Sequence, residues 1–214
     1  MPLPRTRPFR KPRLNARPDA GHHLTTGLEA CYLFNEGNGV LANDISGNGH
    51  DLLLGAGTTD KTNTVWAGGH FGGPALQCRA TATTNSGNLR RNFTFGAGDS
   101  FTFAAWVFPI ASTDGYGSLL TVNGSQGFFA RNSGGAFHLT YYDGTDRNPI
   151  HVQQPFDHWY HVAATLSVGA STRQLTFYFN GEFDGTATPT SVTALWNCSL
   201  NGSAPSKNSR PQRN

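Results

Sequence analysis

Three groupings of residues in the sequence could do chemistry. The segment Asn43-Asp44-Ile45-Ser46-Gly47-Asn48-Gly49 crowds side-chain oxygens onto a short bend. Asp44 and Asn48 there offer the oxygen ligands that a hard cation accepts. The same residues also suit an Asx turn, in which Asp44 bonds the backbone near Ser46 and the glycines permit the bend. The second grouping sets aromatic rings beside polar groups: Tyr142 followed by Asp143 and Asp146, Tyr116 in a Gly-rich loop, and Trp66 in a loop ahead of the PALQC segment. An aromatic face can stack on a flat apolar ring while nearby carboxylates bond its polar substituents. The competing reading of each is ordinary packing. The third is Glu182-Phe183-Asp184, whose two acids, two residues apart, would share one face of a strand. No third acid follows, and the segment sits directly after a turn, so a structural role is expected. His158 and His161 are three apart, which on a strand points them to opposite faces, so a zinc site is not expected. His22-His23 are expected in a solvent-exposed loop. Neither a G-X-S-X-G elbow nor a phosphate-binding Gly loop occurs, and no catalytic residue is assigned.

The elements that would carry these residues follow from composition. Among 214 residues there are 15 Phe and 26 Gly, but only three Glu, three Lys and one Met. Good helix formers are scarce, while aromatic and turn residues are plentiful. A helix bundle or coiled coil is excluded, and no apolar run is long enough for a membrane-spanning helix. Short apolar stretches alternate with turn clusters such as NEGNG, SGNGH, STDGYG and RNSGG. This spacing predicts strands near 28–34, 51–54, 75–79, 92–95, 101–109, 118–122, 127–131, 136–142, 149–152, 159–168, 174–180 and 182–186, hence an all-β antiparallel sandwich. Asn180-Gly181 lies between alternating strands and predicts a type I′ hairpin. FTFAAWVFP is apolar on both faces and predicts a central strand covered on both sides, with Trp106, like Trp159, in the core.

The ends differ from the body. The first 18 residues hold six cations and no acid, and residues 191–214 hold three cations and no acid. All 13 acids lie between Asp19 and Asp184, so the body is acidic and the ends basic. Prolines at 2, 4, 8, 12 and 18 mark residues 1–20 as an extended, disordered arm, which could meet another protein or an anionic surface. Residues 21–196 form the domain, and 197–214, with Leu200 as their one large apolar residue, read as a disordered tail. The N-terminus lacks the apolar centre of a secretory signal, which leaves localisation open, including a virion or a non-classical route outside the cell. Cys31, Cys78 and Cys198 are too few and too far apart for a disulfide scaffold. Cys31 and Cys78 read as buried thiols, with a bridge between them left open.

Six pieces in order, CYLFNEGNG, NDISGNGHDLLL, FGGPALQC, SFTFAAWVFP, HWYHVAATLSVG and LTFYFNGEFDGTA, resemble the laminin G-like, concanavalin A-like lectin/glucanase jelly rolls over roughly residues 28–187. The resemblance implies a jelly-roll sandwich that recognises a carbohydrate or glycoconjugate through loops or its concave sheet, often with bound calcium, for which Asp44 and Asn48 are the candidates. Glucanases of this fold carry E-X-D-X-(X)-E on one strand, and Glu182-Phe183-Asp184 lacks the last acid, so a non-catalytic module is expected. The family's closing strand has no clear counterpart after Pro189; Val192–Trp196 is the local candidate. Glycan or glycoprotein is therefore the expected partner, and nucleic acid is not. A decoration protein of a phage-like particle or cell surface, tethered by the basic arm, and a truncated gene product are the alternative readings.

Overall fold

The computed structural model describes residues 11–14, 16–54, 64–78, 88–90, 98–110, 116–122, 126–133, 135–148, 154–190 and 198–201. The chain divides into two compact units, Met1–Arg79 with Ser86–Arg91, and Ala80–Asn85 with Asn92–Asn214. No helix among the described residues is long and apolar enough to cross a membrane.

Among its described residues the first unit has five short strands: β1 (Leu41–Ala42), β2 (Leu52–Leu54), β3 (Thr64–Gly68), β4 (Pro74–Cys78) and β5 (Asn88–Arg90). β2 pairs antiparallel with β1 and with β5, and β3 forms a hairpin with β4. Trp66 is thus in a strand, opposite Leu76, rather than in a loop. The five-residue Gly-containing connection 69–73, closed by Gly69 N–H donating to the Gly73 carbonyl at 2.6 Å, turns the chain back. The strand expected over 28–34 does not form; Tyr32 makes only an isolated bridge with Asp44. The reason is that side chains from distant positions satisfy this backbone instead of a neighbouring strand. Asp44 accepts the Cys31 N–H at 2.9 Å, and the Lys11 ammonium donates to the Leu33 and Phe34 carbonyls at 2.7 and 3.0 Å. Phe34 reaches that contact at φ +51°. Lys11 also bonds the Pro74 carbonyl, so this part of the expected loose arm is docked. Burial lowers the Lys11 pKa, with the nearby Glu36 charge opposing. Cys31 and Cys78 are free thiols; burial raises both, Cys78 to about 11 against the opposing effect of the Thr64 side chain.

The second unit is a two-sheet antiparallel sandwich. One sheet orders β14 (Cys198–Asn201), β7 (Tyr116–Val122), β8 (Gln126–Ser133), β9 (Ala136–Tyr142) and β10 (Asp146–Arg147); the other orders β13 (Glu182–Ala187), β12 (Arg173–Phe179), β11 (Tyr160–Val168) and β6 (Phe101–Val107). Period-2 alternation sends Phe128, Phe137, Leu139 and Tyr141 from the first sheet against Val162, Leu166, Leu175 and Phe177 from the second. Phe128 is fully buried, stacked on Phe103 at 5.6 Å and edge-on to Phe177 at 6.5 Å. Burying one such side chain contributes about 2–3 kcal/mol. Asn180 (φ +50°) and Gly181 (φ +86°) form the expected hairpin between Phe179 and Glu182.

Three expectations change here. Among the described residues β6 pairs with β11 alone, and its outward side is exposed, Trp106 by 46%. Phe101, Phe103, Ala105 and Val107 face the core; Trp106 is the one large residue among the outward positions of β6, too little to hold a further layer. Trp159 is half-buried against Phe108, at 5.4 Å, rather than in the central core. Residues 198–201, placed in the tail by sequence, form β14 paired with β7, Cys198 opposite Val122. The ladder to β7 supplies the order that their own composition does not. The expected strands at 92–95 and 149–152, and the candidate 192–196, lie outside the described residues.

Candidate functional site

The first sheet of the second unit gathers three of the five aromatic and acidic candidates. β9 reads Ala-Phe-His-Leu-Thr-Tyr-Tyr; because Phe137, Leu139 and Tyr141 enter the core, His138, Thr140 and Tyr142 project from the opposite face. Register adds their neighbours: Arg131 opposite His138, Phe129 opposite Thr140, and Asp146 opposite Tyr142. Tyr142 packs edge-on to Phe129, ring centres 6.4 Å apart. Arg131 Nη1 pairs with Asp146 Oδ2 at 2.5 Å, and both keep partial exposure. Thr140 donates its hydroxyl to Asn148 Oδ1. His138 is 9% exposed, and its Nε2 has no hydrogen-bond partner among the described residues. Burial, then the Arg131 charge, lowers the His138 pKa, while Asp146 opposes. The imidazole is therefore held neutral near pH 7, with one nitrogen to donate and one to accept.

Asp143 does different work. It sits in the turn between β9 and β10, where Gly144 takes φ +105°. Its buried carboxylate accepts the Thr190 N–H at 2.7 Å, the Thr190 hydroxyl at 3.1 Å, the Thr145 N–H at 3.3 Å and Arg147 Nε at 3.3 Å. Burial alone would raise its pKa; the Thr190 and Thr145 hydrogen bonds and the Arg147 charge outweigh it and hold the carboxyl below its usual range. Asp143 ties the β9–β10 corner to the chain beyond β13 and has no oxygen turned outward for a ligand. Tyr116 opens β7 opposite Arg131, so register places it in the row Tyr116–Arg131–His138.

The remaining candidates lie in the first unit. Trp66 is half-buried, its indole N–H donating to the Gly39 carbonyl at 3.0 Å. Asp44 closes an Asx turn: Oδ1 accepts from Cys31 N and Ser46 N, both at 2.9 Å, and Oδ2 from the Ser46 hydroxyl at 2.7 Å and His50 N at 3.0 Å. These bonds lower its pKa against the raising effect of burial. Asn48 turns its amide NH₂ to the Leu28 and Glu29 carbonyls, at 2.8 and 3.0 Å. The donor set does not fit calcium: each Asp44 oxygen already faces two hydrogen-bond donors, which a cation would have to displace. Among the described residues, no group of three or more His, Cys, Asp or Glu could hold a metal ion. A cleft beside Lys11, Asn35, Phe71 and Pro74 is also present, but its cation is committed to backbone carbonyls.

Glu182 and Asp184 sit in different environments. A β-bulge shifts the register between Phe177 and Tyr178, which face Gly185 and Phe183, and leaves Asp184 as the extra residue. Glu182 stays exposed while Asp184 is buried. His158 is exposed, its Nδ1 2.8 Å from the Phe156 carbonyl, and the His161 ring lies against Trp106.

Sequence reasoning passed over Arg131, His138 and Thr140, although the alternation in AFHLTYY carries the signal for the last two. It also assigned to the core the face that bears Trp106. The family model described as Concanavalin A-like lectin/glucanases superfamily matches residues 79–211. The match begins after the first three of the six pieces noted in the sequence and runs through β14. No curated protein matches the chain.

Proposed function

The chain belongs to the concanavalin A-like lectin/glucanases superfamily, and from that premise we propose that it is a non-catalytic binding module whose ligand is a carbohydrate or glycoconjugate. The observation that carries the reading is the β8–β9–β10 face. There a half-buried tyrosine stands beside a partly exposed Arg131–Asp146 pair, with a neutral imidazole buried behind them whose Nε2 has no hydrogen-bond partner among the described residues. A pyranose needs such a set: an aromatic ring for its apolar face, and planar donors and acceptors for adjacent hydroxyls. The absence of catalysis is supported by the burial of Asp184 next to an exposed Glu182, since glycoside hydrolysis needs two carboxyls that both reach one bond. The Asp44 loop needs no calcium to close, so binding is expected without it.

A glycan array probed with the intact chain, with calcium and with EDTA, tests the proposal. The expected result is at least one glycan bound equally in both, and lost in His138→Ala and Arg131→Ala. No binding to any glycan would sink the reading.

A further inference from the structure

The second sheet of the sandwich presents another surface, on the side away from the core, and its composition is unusual for exposed chain. Register aligns one threonine from each of four strands: Thr102 on β6, Thr165 on β11, Thr176 on β12 and Thr186 on β13. The hydroxyls of Thr102 and Thr165 are 3.2 Å apart. At the usual inter-strand spacing the row runs about 14 Å. The next row reads Ala104, Ala163, Tyr178 and Phe183. The row beyond it sets Trp106 opposite His161, with ring centres 5.4 Å apart. The two alanines are thus a low floor between threonine hydroxyls on one side and the Trp106–His161 rings on the other. Tyr178 and Phe183, edge-on at 6.4 Å, stand at one end. Trp106 is 46% and Phe183 64% exposed.

None of the outward positions on these four strands is Lys, Arg, Asp or Glu; the two remaining ones are Ser167 and Gln174. Glu182 is at the hairpin turn, in register with the inward Phe179. A soluble surface normally mixes charges of both signs over about a quarter to a third of its residues. A charge-free face with exposed rings therefore marks a contact surface, and with no charge to complement it selects a neutral partner. Rings for stacking beside a row of hydroxyls, each able to donate and accept, match the alternating apolar faces and hydroxyl edges of a sugar chain. Protein hot spots by contrast under-use threonine.

We propose that this face of β6, β11, β12 and β13 is a second binding surface, and that it takes an extended, neutral polysaccharide. It shares with the proposed function only the choice of carbohydrate as ligand class; the residues are separate, so the two can fail separately.

The test is pull-down and depletion binding of the intact chain on swollen cellulose, chitin and mannan, with heparin-agarose as the anionic counterpart. The inference expects retention on at least one neutral polymer, little changed as salt is raised, because no ion pair is involved. Trp106→Ala and Phe183→Ala should each weaken it roughly ten-fold, and Thr165→Lys at the centre of the row should do the same. All three should keep the wild-type circular dichroism and melting temperature, while His138→Ala should leave this binding intact. Retention unaffected by Trp106→Ala and Phe183→Ala, or capture by heparin alone, overturns it. So does a wild-type dimer in sedimentation that Trp106→Ala converts to monomer, because the face would then meet a second copy. Array ligands lost in His138→Ala, together with no neutral-polymer binding, would leave the first reading standing and this one fallen.

Discussion

The two sheets of the sandwich use the same period-2 alternation and turn it to opposite ends. On β8, β9 and β10 the side away from the core is largely closed: Phe129 and Thr140 are fully buried, and charge is held in place by the Arg131–Asp146 pair. On β6, β11, β12 and β13 the corresponding side is open, uncharged and aromatic. The difference teaches that a buried polar face fixes a few groups in one geometry, while an open neutral face offers area. The first fits the proposed recognition of a particular sugar, the second the proposed contact with a repeating polymer.

The comparison can be broken most severely at the layer both faces share. Phe128→Ala, between the sheets, should cost about 4 kcal/mol and abolish binding at both faces, measured by urea unfolding and by retention on ligand. Next comes the corner that supports the polar face alone. Asp143→Ala strands the Thr190 N–H and the Arg147 guanidinium and should cost about 3 kcal/mol. In the folding-competent fraction it should weaken the array ligand more than the neutral polymer.

Acid sharpens the same contrast. The folded pKa of Asp143 is lowered, so its stabilisation is present above the ordinary carboxylate value and is lost as pH falls through the folded one. The His138 pKa is lowered too, so the unfolded chain binds a proton first, and stability falls as pH drops below about 6.5 toward the folded value. Melting temperature against pH should therefore decline in two stages, and His138→Gln should remove the stage nearer neutrality. A smaller effect is expected at the hairpin bordering the open face. Asn180→Ala forces φ +50° on alanine and loses the bond from His161 N–H, about 1 kcal/mol in urea unfolding. Smallest for stability is Trp106→Ala, within about 0.5 kcal/mol, although it removes the largest ring of the open face.

How much of this was legible depended on how local the cause is. AFHLTYY, HWYHVAATLSVG and Asn180-Gly181 declare strands and turn within a few residues, and the structure follows them. The stretch 28–34 has strand-like composition, but Asp44 and Lys11, 13 and 22 residues from the atoms they bond, capture its backbone. Cys198–Asn201 looks like tail because its order comes from β7. FTFAAWVFP shows its apolar content but not which side is covered, since that depends on what stands opposite. Of the candidate site, Tyr142 and Asp146 were visible as types. Their meeting with Arg131 and His138 follows from register, which no single segment carries. Glu182 and Asp184 were expected to be structural; that one is exposed and the other buried follows from packing, which their spacing does not carry.

The claim at the centre is that the chain recognises sugar without cleaving it. The direct measurement is to hold the intact protein with its best array glycan, following bound sugar and newly formed reducing ends together. The account predicts that the ligand is recovered whole, with no reducing ends above a protein-free control. Steady release of reducing ends, abolished by Glu182→Gln or Asp184→Asn, would contradict it.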